Sequence, residues 1–410
     1  MKPIKRILIL FLGCILFYTQ GISSNGKDSK DLNLKSNQET KTKQKTRTPR
    51  IDYISLSKTQ PLENDVHVIW FDDFDSEKQY MESHGKRDTG EHYGESGASM
   101  DAGFNKGDVS GRGNRKLAFA DFPGNHPQIK PNQKFDEIYW RIYVKHERGW
   151  EGAPAKMSRA TSIVSPHWQQ AMILHVWSGP DNSITLDPAS GVEGQTNRIK
   201  TTQYNDFKNL KWLGNRPASK FQITSTEESG YWVPVEAHVK LNTPGKSDGE
   251  SQLWIDGRLE AERKNLNFRG SYTQHGINAV FLESYWNRGS PKTQGRWYDN
   301  FVVSTEPIGP VVCPANPTIY KMPYSGDGVL ENWEVELASD YDGSDVVFKS
   351  KTLNKKENVT VNSTTGSFTG SLAGKKALEA GKTYYCRVRQ KGSHQTWSDW
   401  SRWHQGFKVK

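Results

Sequence analysis

This chain is short of aliphatic bulk. Only 34% of its 410 residues are hydrophobic, and no apolar run reaches the roughly 20 residues that a membrane-spanning helix needs. Its clearest run, Ile7 to Tyr18, follows the basic residues Lys2, Lys5 and Arg6 and precedes the small residues Gly21, Ser23 and Ser24. That order is the order of an export signal, so residues 1–24 are expected to direct secretion or surface display, with no transmembrane segment. Phe11-Leu12-Gly13-Cys14 offers a rival reading, a lipoprotein with its lipid on Cys14, but the apolar run continues past that cysteine.

Cysteine is scarce as well. Beyond Cys14 only Cys313 and Cys386 remain. No Cys/His cluster with zinc spacing and no His-Glu-x-x-His motif is present, which excludes the common zinc sites. In an oxidising compartment Cys313 and Cys386 are expected to form a disulfide. Long helical periodicity is also missing, and so is any repeat of 20–50 residues.

Excess charge is absent from most of the chain. The net charge of +9 sits largely in the signal and in residues 25–50, where eight Lys/Arg face Asp28, Asp31 and Glu39. The remainder is close to neutral, so nucleic acid is not an expected partner. An anionic glycan would have to be met by a few placed Arg and Lys. Residues 25–63, rich in Lys, Thr, Asn, Gln and Ser, read as a disordered basic linker.

What is abundant is aromatic surface: 14 Trp, 16 Tyr and 16 Phe. From 64 to 306 short β-branched or aromatic runs alternate with Gly, Pro, Asn and Asp, the pattern of many antiparallel strands. The runs His67 to Phe71, Lys116 to Phe122, Glu137 to Lys145, Ala171 to Trp177 and Lys220 to Thr224 are read as strands. So are Val233 to Leu241, Ser251 to Ile255, Asn278 to Trp286 and Trp297 to Ser304. Asp256-Gly257 between two such runs is a hairpin signal. The fold class is therefore all-β, a two-sheet jelly-roll sandwich. Residues 307–311, with Pro307, Gly309 and Pro310, form a linker. Residues 312–410 have the size of an immunoglobulin-like sandwich and resemble a fibronectin type III module. Trp397-Ser398-Asp399-Trp400-Ser401 there resembles the Trp-Ser-x-Trp-Ser box of cytokine-receptor modules. Arg387 and Arg389, two apart on one strand, share a face and are placed to interleave with Trp397 and Trp400 as a cation–π ladder.

The stretch from Trp232 through Asn242-Thr243-Pro244-Gly245 and Asp248-Gly249 to Leu253-Trp254-Ile255-Asp256-Gly257 resembles jelly-roll polysaccharide lyases of the alginate and glucuronan lyase type. These belong to the wider concanavalin-A-like group. Tyr139 to Lys145 resembles their early strand with basic and aromatic residues, and Tyr298 to Val303 their closing strand. Covering about residues 65–305, the resemblance implies an anionic polysaccharide as substrate and no cofactor for catalysis. The Gln-x-His and Arg-x-Glu-Leu-Arg patterns of one large alginate lyase group are absent, which counts against alginate.

Alternation alone places candidate groups. In residues 139–145 Arg141, Tyr143 and Lys145 face away from Trp140, Ile142 and Val144. His175 and Trp177 oppose Leu174 and Val176, and Glu283 shares a face with Tyr285. β-Elimination from a uronate needs a cation at the carboxylate, a base for the neighbouring proton and an acid for the leaving oxygen. Arg141 and Lys145 are expected at the carboxylate, and His175 and Tyr285 at proton transfer. Tyr143 is a further candidate base, since adjacent cations lower a phenol's pKa. Trp177 is expected to stack on a sugar, and Glu283 to orient His175 or a cation. Asp73 and Asp299 are candidates for a structural Ca²⁺, which concanavalin-A-like folds often hold near paired first and last strands. Ordinary turn acids explain them equally well.

A secreted, monomeric polysaccharide lyase is the leading reading. A non-catalytic glycan-binding or adhesion protein on the same fold is the alternative. A laminarinase-type glycoside hydrolase ranks below both, because no strand carries Glu-x-Asp-x-x-Glu or Glu-x-Asp-x-Glu.

Overall fold

A computed structural model describes residues 47–410, apart from positions 58, 59, 61–63, 96, 195, 215, 355, 356 and 395. The expected signal, Cys14 and residues 25–46 of the expected linker lie outside the described residues. No described residue is α-helical.

Two sheets make the larger sandwich. The front sheet runs in the order Lys211–Trp212, Ile184–Ser190, Gln170–Ser178, Lys156–Ile163, Ala279–Tyr285, Asn114–Ala118, Glu82–His84. The rear sheet is centred on Trp232–Lys240, Glu137–His146 and Arg296–Ser304. Alternation seals the two together: Leu174, Val176, Ala160, Val280 and Leu282 from the front meet Trp140, Ile142, Val144, Val235 and Leu253 from the rear. The expected hairpin is present, with Asp256 and Gly257 both at positive φ between Gly249–Ile255 and Arg258–Leu266. That backbone is why Gly follows Asp there. Of the expected strands, Lys220 to Thr224 is not one, and Lys116 to Phe122 is one only as far as Ala118.

The C-terminal residues form a second sandwich of a seven-stranded and a three-stranded sheet. Its expected ladder is present and one ring longer. Arg389 lies 4.7 Å from the Trp397 ring centre and 4.6 Å from Trp400; Arg387 lies 4.8 Å from Trp400 and 4.5 Å from Trp403. Glu334 and Glu336 on the neighbouring strand pair with the two arginines.

Three expectations about this region are corrected. The linker ends before residue 63: Ile51–Ile54 is a strand, and it joins the C-terminal sandwich by pairing with Thr318–Lys321. Ile51 and Ile54 bury completely there, which overrides the polar surroundings. Residues 307–311 are clamped. Glu236 accepts the amides of Ile308 and Gly309 at 2.9 Å each, Arg141 donates to the Gly309 carbonyl, and Tyr143 Oη accepts the Val311 amide. Finally, Cys313 and Cys386 are free buried thiols. The strand His404–Val409 lies between theirs. Two strand spacings are about 9.5 Å, beyond the roughly 7 Å that a disulfide spans between Cα atoms.

Candidate functional site

One ladder row crosses the front sheet. Glu82 sits opposite Lys116, Lys116 opposite Phe281, Phe281 opposite Arg159, Arg159 opposite His175, and His175 opposite Asp187. Residues in one row project to one face, and here that face is the outer one. A second row sets Tyr285 opposite Lys156 and Lys156 opposite Trp177. Trp168 and Tyr204, from flanking loops, pack on Phe281.

Arg159 is the centre of this face. Its Nε donates to Glu283 at 2.8 Å, its Nη2 to the other oxygen of the same carboxylate, and its Nη1 to Asn205 at 2.6 Å. Burial works against both charges of the pair, but Glu283 holds the guanidinium above its ordinary pKa. Arg159, backed by Lys156 and Lys116, holds the carboxyl below its own. Such a bidentate buried pair is rigid and directional.

Two lysines flank it. Lys156 Nζ is 3.9 Å from Glu283 and lies over the Tyr285 ring at 4.7 Å. Burial, Arg159 and Lys116 lower its pKa, against the pull of Glu283. Lys116 Nζ donates to Glu82 at 2.7 Å and lies within about 5 Å of the Trp168 and Tyr204 ring centres.

His175 lies beneath Trp177, Trp212 and Phe207. Neither ring nitrogen has a hydrogen-bond partner. Burial first, then Arg159 and Lys156, push its pKa well below the ordinary imidazole value, so the ring is neutral at physiological pH. Burial raises the Tyr204 phenol, opposed by Arg159. The face therefore holds fixed cations, a neutral imidazole, two phenols and indole surfaces, which is a proton-transfer set beside a carboxylate-attracting field.

His175, Tyr285, Trp177 and Glu283 thus meet on one face. Glu283 orients Arg159, a cation, and not His175. Arg141, Tyr143 and Lys145 do not reach this face. Their alternation is as expected, but their strand belongs to the rear sheet, whose outer side is covered by the C-terminal sandwich. Tyr143, Trp232 and Trp297 share an apolar cluster with Trp333, Val335 and Tyr384. Lys145 is tied to Asp52 at 3.1 Å and Glu91 at 2.8 Å. Burial raises the Tyr143 phenol despite Arg141, the reverse of the expected lowering. Arg159, Lys156, Lys116 and Tyr204 were not singled out from the sequence.

Asp73 is engaged as a turn acid, and Asp299 as a buried acid within the strand Arg296–Ser304. Asp299 accepts the amides of Tyr93 and Asn300, and Asp73 accepts that of Asp75. Among the described residues no group of three or more His, Cys, Asp or Glu is arranged to hold a metal ion.

The sequence has matches among known families and structures. Residues 219–301 match the family model described as polysaccharide lyase 14. Among solved structures, a PL-14 alginate lyase from Aplysia kurodai is 16% identical over 59% of this chain and all of its own, with a TM-score of 0.40. An endo-β-1,4-glucuronan lyase from Trichoderma reesei is 13% identical over 58% of this chain and 96% of its own, with a TM-score of 0.38. No curated protein matches the chain. The matched stretch includes Glu283 and Tyr285 of the site and the central rear strand Trp232–Lys240. The stretch that is similar to polysaccharide lyase 14 lies within the larger sandwich of this chain.

Proposed function

We propose that the outer face of the front sheet cleaves a uronate-containing polysaccharide by β-elimination, in a protein exported through residues 1–24. The observation that carries this is the row Lys116–Phe281–Arg159–His175 with Lys156 and Tyr285 alongside it. Lys156 and Lys116 meet the sugar carboxylate and so acidify the neighbouring C–H. Arg159, saturated by Glu283 and Asn205, is a positioning residue that supplies field and not contact. His175 or Tyr285 takes the proton and a phenol, Tyr285 or Tyr204, returns one to the departing oxygen. Trp177 and Trp212 provide stacking faces for sugar rings. The second sandwich, with its fibronectin type III-like length and ladder, serves as a support.

The test is ultraviolet absorbance of the unsaturated product during incubation with alginate, glucuronan, ulvan, pectate and glycosaminoglycans. One substrate should give a rising signal, and Lys156→Ala and Tyr285→Phe should each reduce it by on the order of 10²-fold or more. Lys145→Ala should leave turnover of folded protein unchanged. A flat signal from protein that still binds one of these glycans would favour a binding module instead.

A further inference from the structure

A partly open cleft lies far from the front sheet, between the rear sheet and the second sandwich. It has a volume of about 250 Å³ and is walled by Trp254, Pro307, Pro310 and Tyr385, with Arg141 and Glu236 also lining it. Arg141 is 1% exposed. Its Nη1 reaches the Gly309 carbonyl, but Nε and Nη2 have no hydrogen-bond partner. Among the other buried arginines of the sandwich, Arg159 and Arg269 bond acids, Glu283 and Asp136, whereas Arg296 has no ion pair among the described residues and also leaves its Nε without a partner. Glu236, the cross-strand neighbour of Arg141, does not supply that partner. Its two oxygens are taken by the amides of Ile308 and Gly309. Two donors of Arg141 are therefore left without a hydrogen-bonding acid in an aromatic-walled space, although the Glu236 charge stands nearby. Buried donors left unbonded are costly, and the complement to a guanidinium with free donors is a carboxylate or similar planar anion.

We infer that this inter-sandwich cavity is a second, non-catalytic site for a single carboxylated sugar, with the carboxylate on Arg141 and the ring between Trp254 and Tyr385. The volume is just under the roughly 300–1,000 Å³ of sites for drug-sized ligands, so it admits one ring and not a chain. Because Trp254 belongs to the larger sandwich and Tyr385 to the second sandwich, the ligand would bridge them. The choice of a uronate rests on the proposed lyase reading, whereas the need for a carboxylate rests on Arg141 alone.

Calorimetric titration of the full chain with sodium glucuronate, and with glucose as the uncharged control, tests this. A saturable site for glucuronate should persist in Trp177→Ala, which disables the front face. It should weaken at least about tenfold in Thr383→Trp, which fills the cavity, and in Trp254→Ala, which removes one wall. Two variants are used so that a folding defect in one, visible in near-ultraviolet dichroism, leaves the other to decide. Equal affinity for glucose, no saturable binding by the wild type, or binding unchanged in both cavity variants would overturn the inference. Failure of the lyase reading would show separately, as absence of unsaturated product from every polysaccharide, and would leave this titration to stand by itself.

Discussion

His175 carries the most informative chemistry at the level of single residues. An imidazole with no partner on either nitrogen, under two indoles and beside two cations, cannot hold a proton at the pH where free histidine does. Its ring should stay neutral well below the pH at which a free imidazole takes up its proton, which NMR titration of the ring carbons would show. A midpoint near the ordinary value of about 6.5 would mean that water reaches the ring. The acid limb of kcat/KM should accordingly lie well below that value. Arg159 makes a contrasting case. Glu283→Gln would leave its guanidinium buried and half-paired, which typically costs about 3–5 kcal/mol. Urea unfolding should show that loss, and an effect below about 1 kcal/mol would mean that the pair is effectively solvated.

Whole strands explain which parts of the site were legible. Gln170–Ser178 and Ala279–Tyr285 are rich in β-branched and aromatic residues, so their alternation placed His175, Trp177, Glu283 and Tyr285 on the outer face. Lys156–Ile163 reads Lys-Met-Ser-Arg-Ala-Thr-Ser-Ile, with β-branched residues only at Thr161 and Ile163. It holds a central place because two neighbours supply its ladder, an effect of tertiary packing that local propensity does not carry. A period-two reading with Met157 inward would turn Arg159 inward as well; a register shift between Lys156 and Ser158 resets the alternation and sends Arg159 outward, and the sequence does not mark it. Tyr204 lies on a loop, where no periodicity speaks. For Glu137–His146 the alternation was right and the destination wrong, because sheet assignment depends on partners distant in sequence. The strand Ile51–Ile54 makes the same point, since what it pairs with lies more than 260 residues away. Ile54→Ala, at a fully buried position, should cost about 2–5 kcal/mol. The loss should appear in the unfolding of the second sandwich, as followed by the fluorescence of its tryptophans. An unchanged midpoint would mean that this strand is peripheral to the domain.

Across the whole molecule the two sandwiches are joined by charge as well as by apolar packing. Glu228 of the larger sandwich accepts from Arg402 of the second sandwich at 2.8 Å and from Arg50 of the N-terminal segment at 3.3 Å, with Tyr231 donating to its other oxygen. Burial raises the Glu228 carboxyl, but Arg402 and Arg50 outweigh it and bring the group down to about 2 from an ordinary 4.5. A carboxylate lowered by folding contributes stability that is full above its unfolded pKa and is lost as pH falls toward the folded one. For Glu228 that contribution is on the order of 3 kcal/mol at neutral pH, with about 2 kcal/mol gone by roughly pH 3. Asp256, which accepts the Gln405 amide across the same junction, acts with the opposite sign. Burial raises it to about 6, against Arg402, so its protonation favours the folded state as pH falls through that range. Comparison with Glu228→Gln reads mainly the first effect, because burial, the main cause of the Asp256 shift, is common to both proteins and the Glu228 charge adds less to it. Urea unfolding of both proteins should give a gap of a few kcal/mol at neutral pH that narrows by about 2 kcal/mol near pH 3. A gap that stays constant between those two pH values would show that the Glu228 charge does not hold the sandwiches together.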